Sequence, residues 1–161
     1  MERFAIHALQ AGGGTLAISP MPGRGGHYGA DWLRLVAWRP DLVLTMTPRH
    51  ELERKGAGSL GRDLAQAGIG WLPLPVADFG VPEAGVQARW PEAEARALEA
   101  LAGGGRVLVH CHGGCGRSGM AMLRLMRACG EDGAEALARL RALRPCAIET
   151  EAQMGWALSD L

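Results

Sequence analysis

Of the 17 cationic residues in this 161-residue chain only one, Lys55, is a lysine, and 17 acidic residues balance them. A net charge of zero argues against non-specific binding to nucleic acid or to an anionic membrane surface, both of which need a diffuse basic face. A local basic pocket stays open. No apolar run reaches the ~18 residues that a membrane-crossing helix needs. Met1–Gln10 lacks the basic-then-apolar order of a secretory signal. There is no internal repeat and no low-complexity tail. Cysteine is sparse: Cys111, Cys115, Cys129 and Cys146 stand at irregular spacing, which does not read as a disulfide framework. A reducing, cytoplasmic setting is the expectation, and there a cysteine beside a histidine raises the question of catalysis.

What is present suits one domain over residues 1–161. Hydrophobic residues make up 48% and charged residues 21%, as in soluble globular chains. The 24 glycines are scattered, and with the many alanines and arginines they read as compositional bias. Phe4–Leu9 and Thr15–Ser19 predict a hairpin turning through Gly12-Gly13-Gly14. Residues 19–26 are a Pro/Gly loop. Asp31–Trp38 has helical spacing, and Asp41–Met46 is a short buried strand. Pro48–Gly68 is mostly helical, interrupted by Gly56 and Gly58. Ile69–Val76 reads as an edge strand because of Pro73 and Pro75, and Ala77–Arg89 as a loop. Pro91 is expected to open a helix that Gly103 ends. Arg106–His110 is a strand, and Arg117–Cys129 is apolar on nearly all sides, as a central helix would be. Asp132 with Glu135, and Thr150 with Gln153, predict capping boxes for two last helices. Alternating strands and helices imply an α/β fold: three layers, a largely parallel central sheet flanked by helices.

The informative stretch is His110-Cys111-His112-Gly113-Gly114-Cys115-Gly116-Arg117-Ser118-Gly119, between a predicted strand and the central helix. Such a junction aims backbone N–H groups and the positive helix end at one point. Glycines let the backbone curl around an anion. A helix N-terminus and a neighbouring cation favour a cysteine's nucleophilic thiolate. Arg117 is spaced to fork onto two oxygens of a bound anion. The residues alone describe an oxyanion cradle with a thiolate at its base.

This loop resembles the HCxxGxxR(S/T) signature of the cysteine-dependent tyrosine and dual-specificity phosphatases at every fixed position. Pro75-Val76-Ala77-Asp78-Phe79-Gly80-Val81-Pro82 is similar to the general-acid loop of the dual-specificity branch, and Arg144–Thr150 to the loop after its penultimate helix. The order of elements from Trp32 to Asp160 follows the same branch, nearest its kinase-associated and compact bacterial members. The resemblance implies hydrolysis of phosphate monoesters on a phosphorylated protein or peptide. Cys111 would be the nucleophile, Asp78 the general acid/base, and Ser118 a donor to the departing sulfur. Arg117 and the N–H groups of His112, Gly113, Gly114, Cys115 and Gly116 would hold the phosphate. His110 would orient the loop. No cofactor or metal is called for, and neither nucleic acid nor membrane is an expected partner. Glu149 stands where many relatives carry a water-positioning Gln, with a charge that would repel phosphate.

Other readings are weaker. Sulfur transfer or arsenate reduction on a rhodanese-type loop needs neither Asp78 nor Ser118. A phosphatase of non-protein phosphates often carries Lys in the loop, and this loop has none. A bare phosphate-binding module usually loses Cys, Arg or Asp. Cys111, His112 and Cys115 are wrongly spaced for zinc. Gly23-Arg24-Gly25-Gly26 lacks the Gly-Lys-Ser/Thr of a nucleotide loop and reads as an ordinary turn. Arg49 and Arg89 could flank the pocket and read substrate, but solvated surface is the better reading for each; Cys129 reads as core. A peroxide-sensitive Cys111 could be resolved by Cys115 or Cys146.

Overall fold

The computed structural model describes residues 3–160. The chain runs β1 (His7–Ala11), β2 (Gly14–Ser19), α1 (Tyr28–Trp38), β3 (Leu42–Thr45), α2 (Arg49–Arg54), α3 (Leu60–Gln66), β4 (Gly70–Pro73), α4 (Ala84–Ala102), β5 (Arg106–His110), α5 (Gly116–Ala128), α6 (Gly133–Leu143) and α7 (Glu151–Leu158). The sheet order is β1-β2-β5-β3-β4. Only the β1–β2 hairpin is antiparallel; β2, β5, β3 and β4 run parallel. β5 is central and β4 lies at the edge, where Pro73 removes no ladder donor that a neighbour needs.

Period-2 alternation explains the three layers. Leu16, Ile18, Leu42, Leu44, Val107 and Val109 face one way and pack under α4, α5 and α7. Their neighbours Ala17, Val43 and Leu108 face the other way, onto Leu35, Leu52, Leu60 and Leu64 of α1–α3. A strand buried on both faces should be apolar throughout, and β5 is buried from Val107 to His110. α5 is buried over its whole course to Met126. Arg124, one of its two buried arginines, donates to the Trp156 carbonyl and lies 4.4 Å over the Trp156 ring.

Several expectations need correction. Asp132 accepts the Glu135 N–H, but among the described residues no reciprocal bond completes a capping box at α6, and β4 covers Gly70–Pro73 rather than reaching Val76. β1 begins at His7, not Phe4; the Phe4 side chain packs into the core ahead of the strand. Pro91 lies inside α4, which starts at Ala84, so the expected 77–89 loop is helical in its second half. Burial of Val86 and Trp90 carries the helix through the proline, and Trp90 meets Trp156 edge-on at 4.9 Å, so packing outweighs the missing N–H. The cysteines also include one pair: Cys115 and Cys146 are disulfide-bonded across 31 residues with Cα atoms 5.1 Å apart. Spacing hid this, because only the return of the α6–α7 loop onto the signature loop brings the two together.

Candidate active site

Residues 111–115 leave the end of β5 and enter α5. Every carbonyl in this turn is held from outside. Met21 N–H donates to the His112 oxygen at 3.0 Å. Arg144, buried in the α6–α7 loop, donates to the oxygens of Gly113 (2.9 Å) and Gly114 (3.0 Å). The Cys115 oxygen accepts from Gly119 and Ile148. Among the described residues the N–H groups of His112, Gly113, Gly114 and Cys115 donate to no protein acceptor, and α5 has no side-chain N-cap. A loop with its carbonyls tied back and its N–H groups unspent is built for an anion. Gly114 permits the curl: its φ is +71°, and a Cβ there would lie 2.6 Å from the Pro20 nitrogen.

Cys111 is buried, its sulfur 3.1 Å from the Ser118 hydroxyl. Arg117, 2% exposed, lies on the first turn of α5. Its fork is fixed by Glu51 from α2, at 2.8 Å to Nη1 and 3.1 Å to Nη2. Nη1 also donates to the Val76 oxygen at 2.9 Å, and Nη2 meets Asp78 Oδ1 at 3.3 Å. Burial works against the Arg117 charge. The Glu51 hydrogen bonds and the charges of Cys111, Glu51 and Asp78 outweigh it and hold the guanidinium more firmly protonated than usual.

Asp78 is mostly exposed at the cleft mouth and accepts the Phe79 N–H. Its turn is closed by Gly80 N–H on the Ala77 oxygen and puts Phe79 at φ +61°, costly for a bulky residue. Gln153 of α7 pins this turn through its Nε2 on the Gly80 oxygen (3.1 Å). The same side chain completes the capping box with Thr150. A second strained residue, Ile148 at φ +68°, adjoins Glu149, whose carboxylate rests against Gly116.

His110 is fully buried. Burial first, and then the Arg117 charge, push its imidazole down to about 4. The ring is therefore neutral, and its network assigns the tautomer. Nδ1 faces the Cys111 carbonyl at 3.1 Å and must carry the proton. Nε2 then accepts from the Thr45 hydroxyl at 2.7 Å, which in turn accepts from Trp71 Nε1. His112 is likewise held below its usual range, by burial and then by Arg24 and Lys55. A cleft of about 310 Å³ opens beside it, lined by Glu51, Asp78, His50, Arg54 and His112.

Neither a scan of family models nor a search of the curated proteins finds a match. Solved structures do match. The kinase associated phosphatase KAP superposes with a TM-score of 0.83 at 22% identity, over 98% of this chain and 94% of that one. PTPMT1 gives 0.72 at 22%, over 95% and 91%. The active form of Tk-PTP gives 0.72 at 32% identity, over 93% of this chain and 92% of its own. The chain belongs to the cysteine-dependent tyrosine and dual-specificity phosphatase family. It is a phosphatase of this fold, in the company of compact members.

Cys111, Arg117, Ser118, Asp78, His110 and the loop glycines thus converge on one point at the end of β5. Arg49 and Arg89 do not join them; Arg49 is exposed and paired with Glu53, and Arg89 is exposed on α4. While Cys115 and Cys146 are bonded to each other, neither is available to resolve an oxidised Cys111. Four residues of this phosphatase site escape a reading of the sequence. Glu51 is a charge on a mostly solvated helix, Thr45 lies inside an apolar strand, and Gln153 shows only as a capping residue. Arg144 had a faint signal, since it opens the tail segment that resembles the family's.

Proposed function

We propose that this phosphatase hydrolyses phosphoprotein monoesters, phosphotyrosine or both tyrosine and serine/threonine esters, through a cysteinyl-phosphate. The Cys111 thiolate attacks phosphorus and the bond to the leaving oxygen breaks as Asp78 delivers its proton to that oxygen. Water then attacks the phosphorus, Asp78 takes its proton, and the S–P bond breaks with the Ser118 hydroxyl donating to the returning thiolate. Throughout, the Arg117 fork and the N–H groups of residues 112–117 stabilise the equatorial oxygens, where transition-state charge lies. His110 positions the turn through the Cys111 carbonyl and never needs a proton from solvent. Glu149 can accept a hydrogen bond from the attacking water.

The observation that carries this reading is the turn itself: carbonyls bound outward and N–H groups unspent around a buried sulfur, with a guanidinium preset beside it. Asp78 on the Arg117 fork and Ser118 on the sulfur favour ester hydrolysis over sulfur transfer or arsenate reduction, which use neither. The test is p-nitrophenyl phosphate turnover by wild type and Cys111→Ser. The serine variant should retain vanadate affinity and lose turnover, because a hydroxyl is not ionised near neutral pH. Substantial residual turnover would defeat the covalent route.

A further inference from the structure

A second cavity, also of about 310 Å³, lies between the segment ahead of β1, the 20–27 loop and the start of α1. Arg3, Arg24, Arg34 and His27 line it, with Asp31 as the one carboxylate. Asp31 is occupied, its Oδ2 accepting the Gly23 N–H at 2.7 Å. Among the described residues none of the three arginines pairs with a carboxylate. Arg34 spends one N–H on the Phe4 oxygen at 3.2 Å. The floor is apolar: Phe4, Pro20, Met21 and Ala30.

This cavity adjoins the phosphate cradle. A Cβ on Gly113 would lie 3.8 Å from the guanidinium carbon and both terminal nitrogens of Arg24, so that guanidinium lies against the signature loop. Met21, in the cavity floor, is the residue bonded to the His112 oxygen. His112 in turn lines the Asp78 cleft. A chain whose phosphate occupies the cradle can therefore lay a neighbouring group across Gly113 into this cavity.

We infer that the cavity is a substrate subsite for an acidic side chain flanking the phosphorylated residue of a phosphopeptide. The inference rests on the phosphatase reading above and names its substrate class. Three guanidiniums offset by one carboxylate give a modest positive field, suited to one or two carboxylates. The apolar floor takes the methylene stem of Asp or Glu, which a compact polyphosphorylated ring does not possess. Arg forks onto carboxylates in planar pairs, and an arginine without a carboxylate partner beside a binding site is free to do so.

The experiment compares two phosphotyrosine peptides, identical except for Glu/Asp or Ala at the flanking positions. Kd is measured on Cys111→Ser and kcat/KM on the active enzyme, at low and high salt. Wild type should favour the acidic peptide by about tenfold at low ionic strength, with the preference shrinking as salt screens it. Arg24→Glu should abolish or invert the preference. Arg3→Glu, near the chain end and clear of the signature loop, should reduce it. Equal Kd values for the two peptides, or a wild-type ratio retained in both variants, would sink the subsite. If inositol bisphosphate discriminates between wild type and Arg24→Glu while the peptides do not, the peptide assignment is wrong. Turnover of p-nitrophenyl phosphate, which carries no second charge, reports on the cradle alone. Its absence would strike the phosphatase reading, while the Kd ratio would still decide the subsite.

Discussion

Replacing Glu51 is the most informative perturbation of this site. Its carboxylate makes the two charge-assisted bonds that fix the plane of Arg117, and the side chains are only 11% and 2% exposed. Deleting one partner of a buried pair costs about 3–5 kcal/mol, because the remaining charge loses its compensation. Arg117 keeps the Val76 oxygen and Asp78, so Glu51→Ala belongs near the lower end, about 3 kcal/mol. For a chain of this length that lowers Tm by about 6–12 °C. The functional cost has a different origin. Without Glu51 the guanidinium is free to turn toward Asp78, and a displacement of about 1 Å at a reacting group costs about a hundredfold in rate. Glu51→Gln keeps the shape and one acceptor and should lose about tenfold. The assays are a thermal melt and kcat and KM on p-nitrophenyl phosphate, with vanadate affinity as the measure of the fork. Both variants should lose kcat and vanadate binding together. If Glu51→Ala keeps kcat/KM within threefold of wild type, the fork is positioned by something other than Glu51, and the argument fails.

Asp78→Asn should lower turnover by about 10²–10⁴, most severely for alkyl phosphates, whose leaving oxygen needs the proton. Equal losses for aryl and alkyl esters would move the acid elsewhere, though not to Asp63, which is held by Tyr28 and Ser59. His110 supplies a pH test. Its folded value of about 4 lies below the unfolded 6.5, so its contribution is whole above pH 6.5 and is lost as pH falls toward 4. Between pH 7.5 and 5 the loss is about 2 kcal/mol, read as a falling urea midpoint. A His110→Gln variant with an identical fall over that range would refute it. The Cys115–Cys146 bond closes a loop worth about 3–4 kcal/mol, so Cys146→Ser should melt about 7–15 °C lower. Thiol titration of unfolded, unreduced protein should find only Cys111 and Cys129 free, and four free thiols would remove the bond from the account.

The sequence by itself determined much of what depends on neighbours along the chain. The apolar run Arg106–His110, the glycine turn and the apolar helix after it follow from local preference, and together they build the anion cradle and place Cys111, Arg117 and Ser118. The capping box of Thr150 with Gln153 was legible for the same reason. Asp78 was legible through family resemblance, since a turn aspartate followed by Phe and Gly has no local mark of catalysis. What only the tertiary structure decided is what packing brings in from afar. Glu51 meets Arg117 across 66 positions because β3 lies beside β5 and α2 follows β3. Thr45 reaches His110 because those two residues are register partners. Cys146 meets Cys115, and Arg144 meets the loop carbonyls, because α6 returns the chain over the cradle. Pro91 shows the same division from the other side: local preference starts a helix there, and the buried Trp90 overrules it. Arg24 does so too, as an ordinary turn residue in the chain that folding lays against Gly113. Periodicity and spacing record the forces within one element. They carry no record of which charged side chain, from which element, will cancel a buried charge in another.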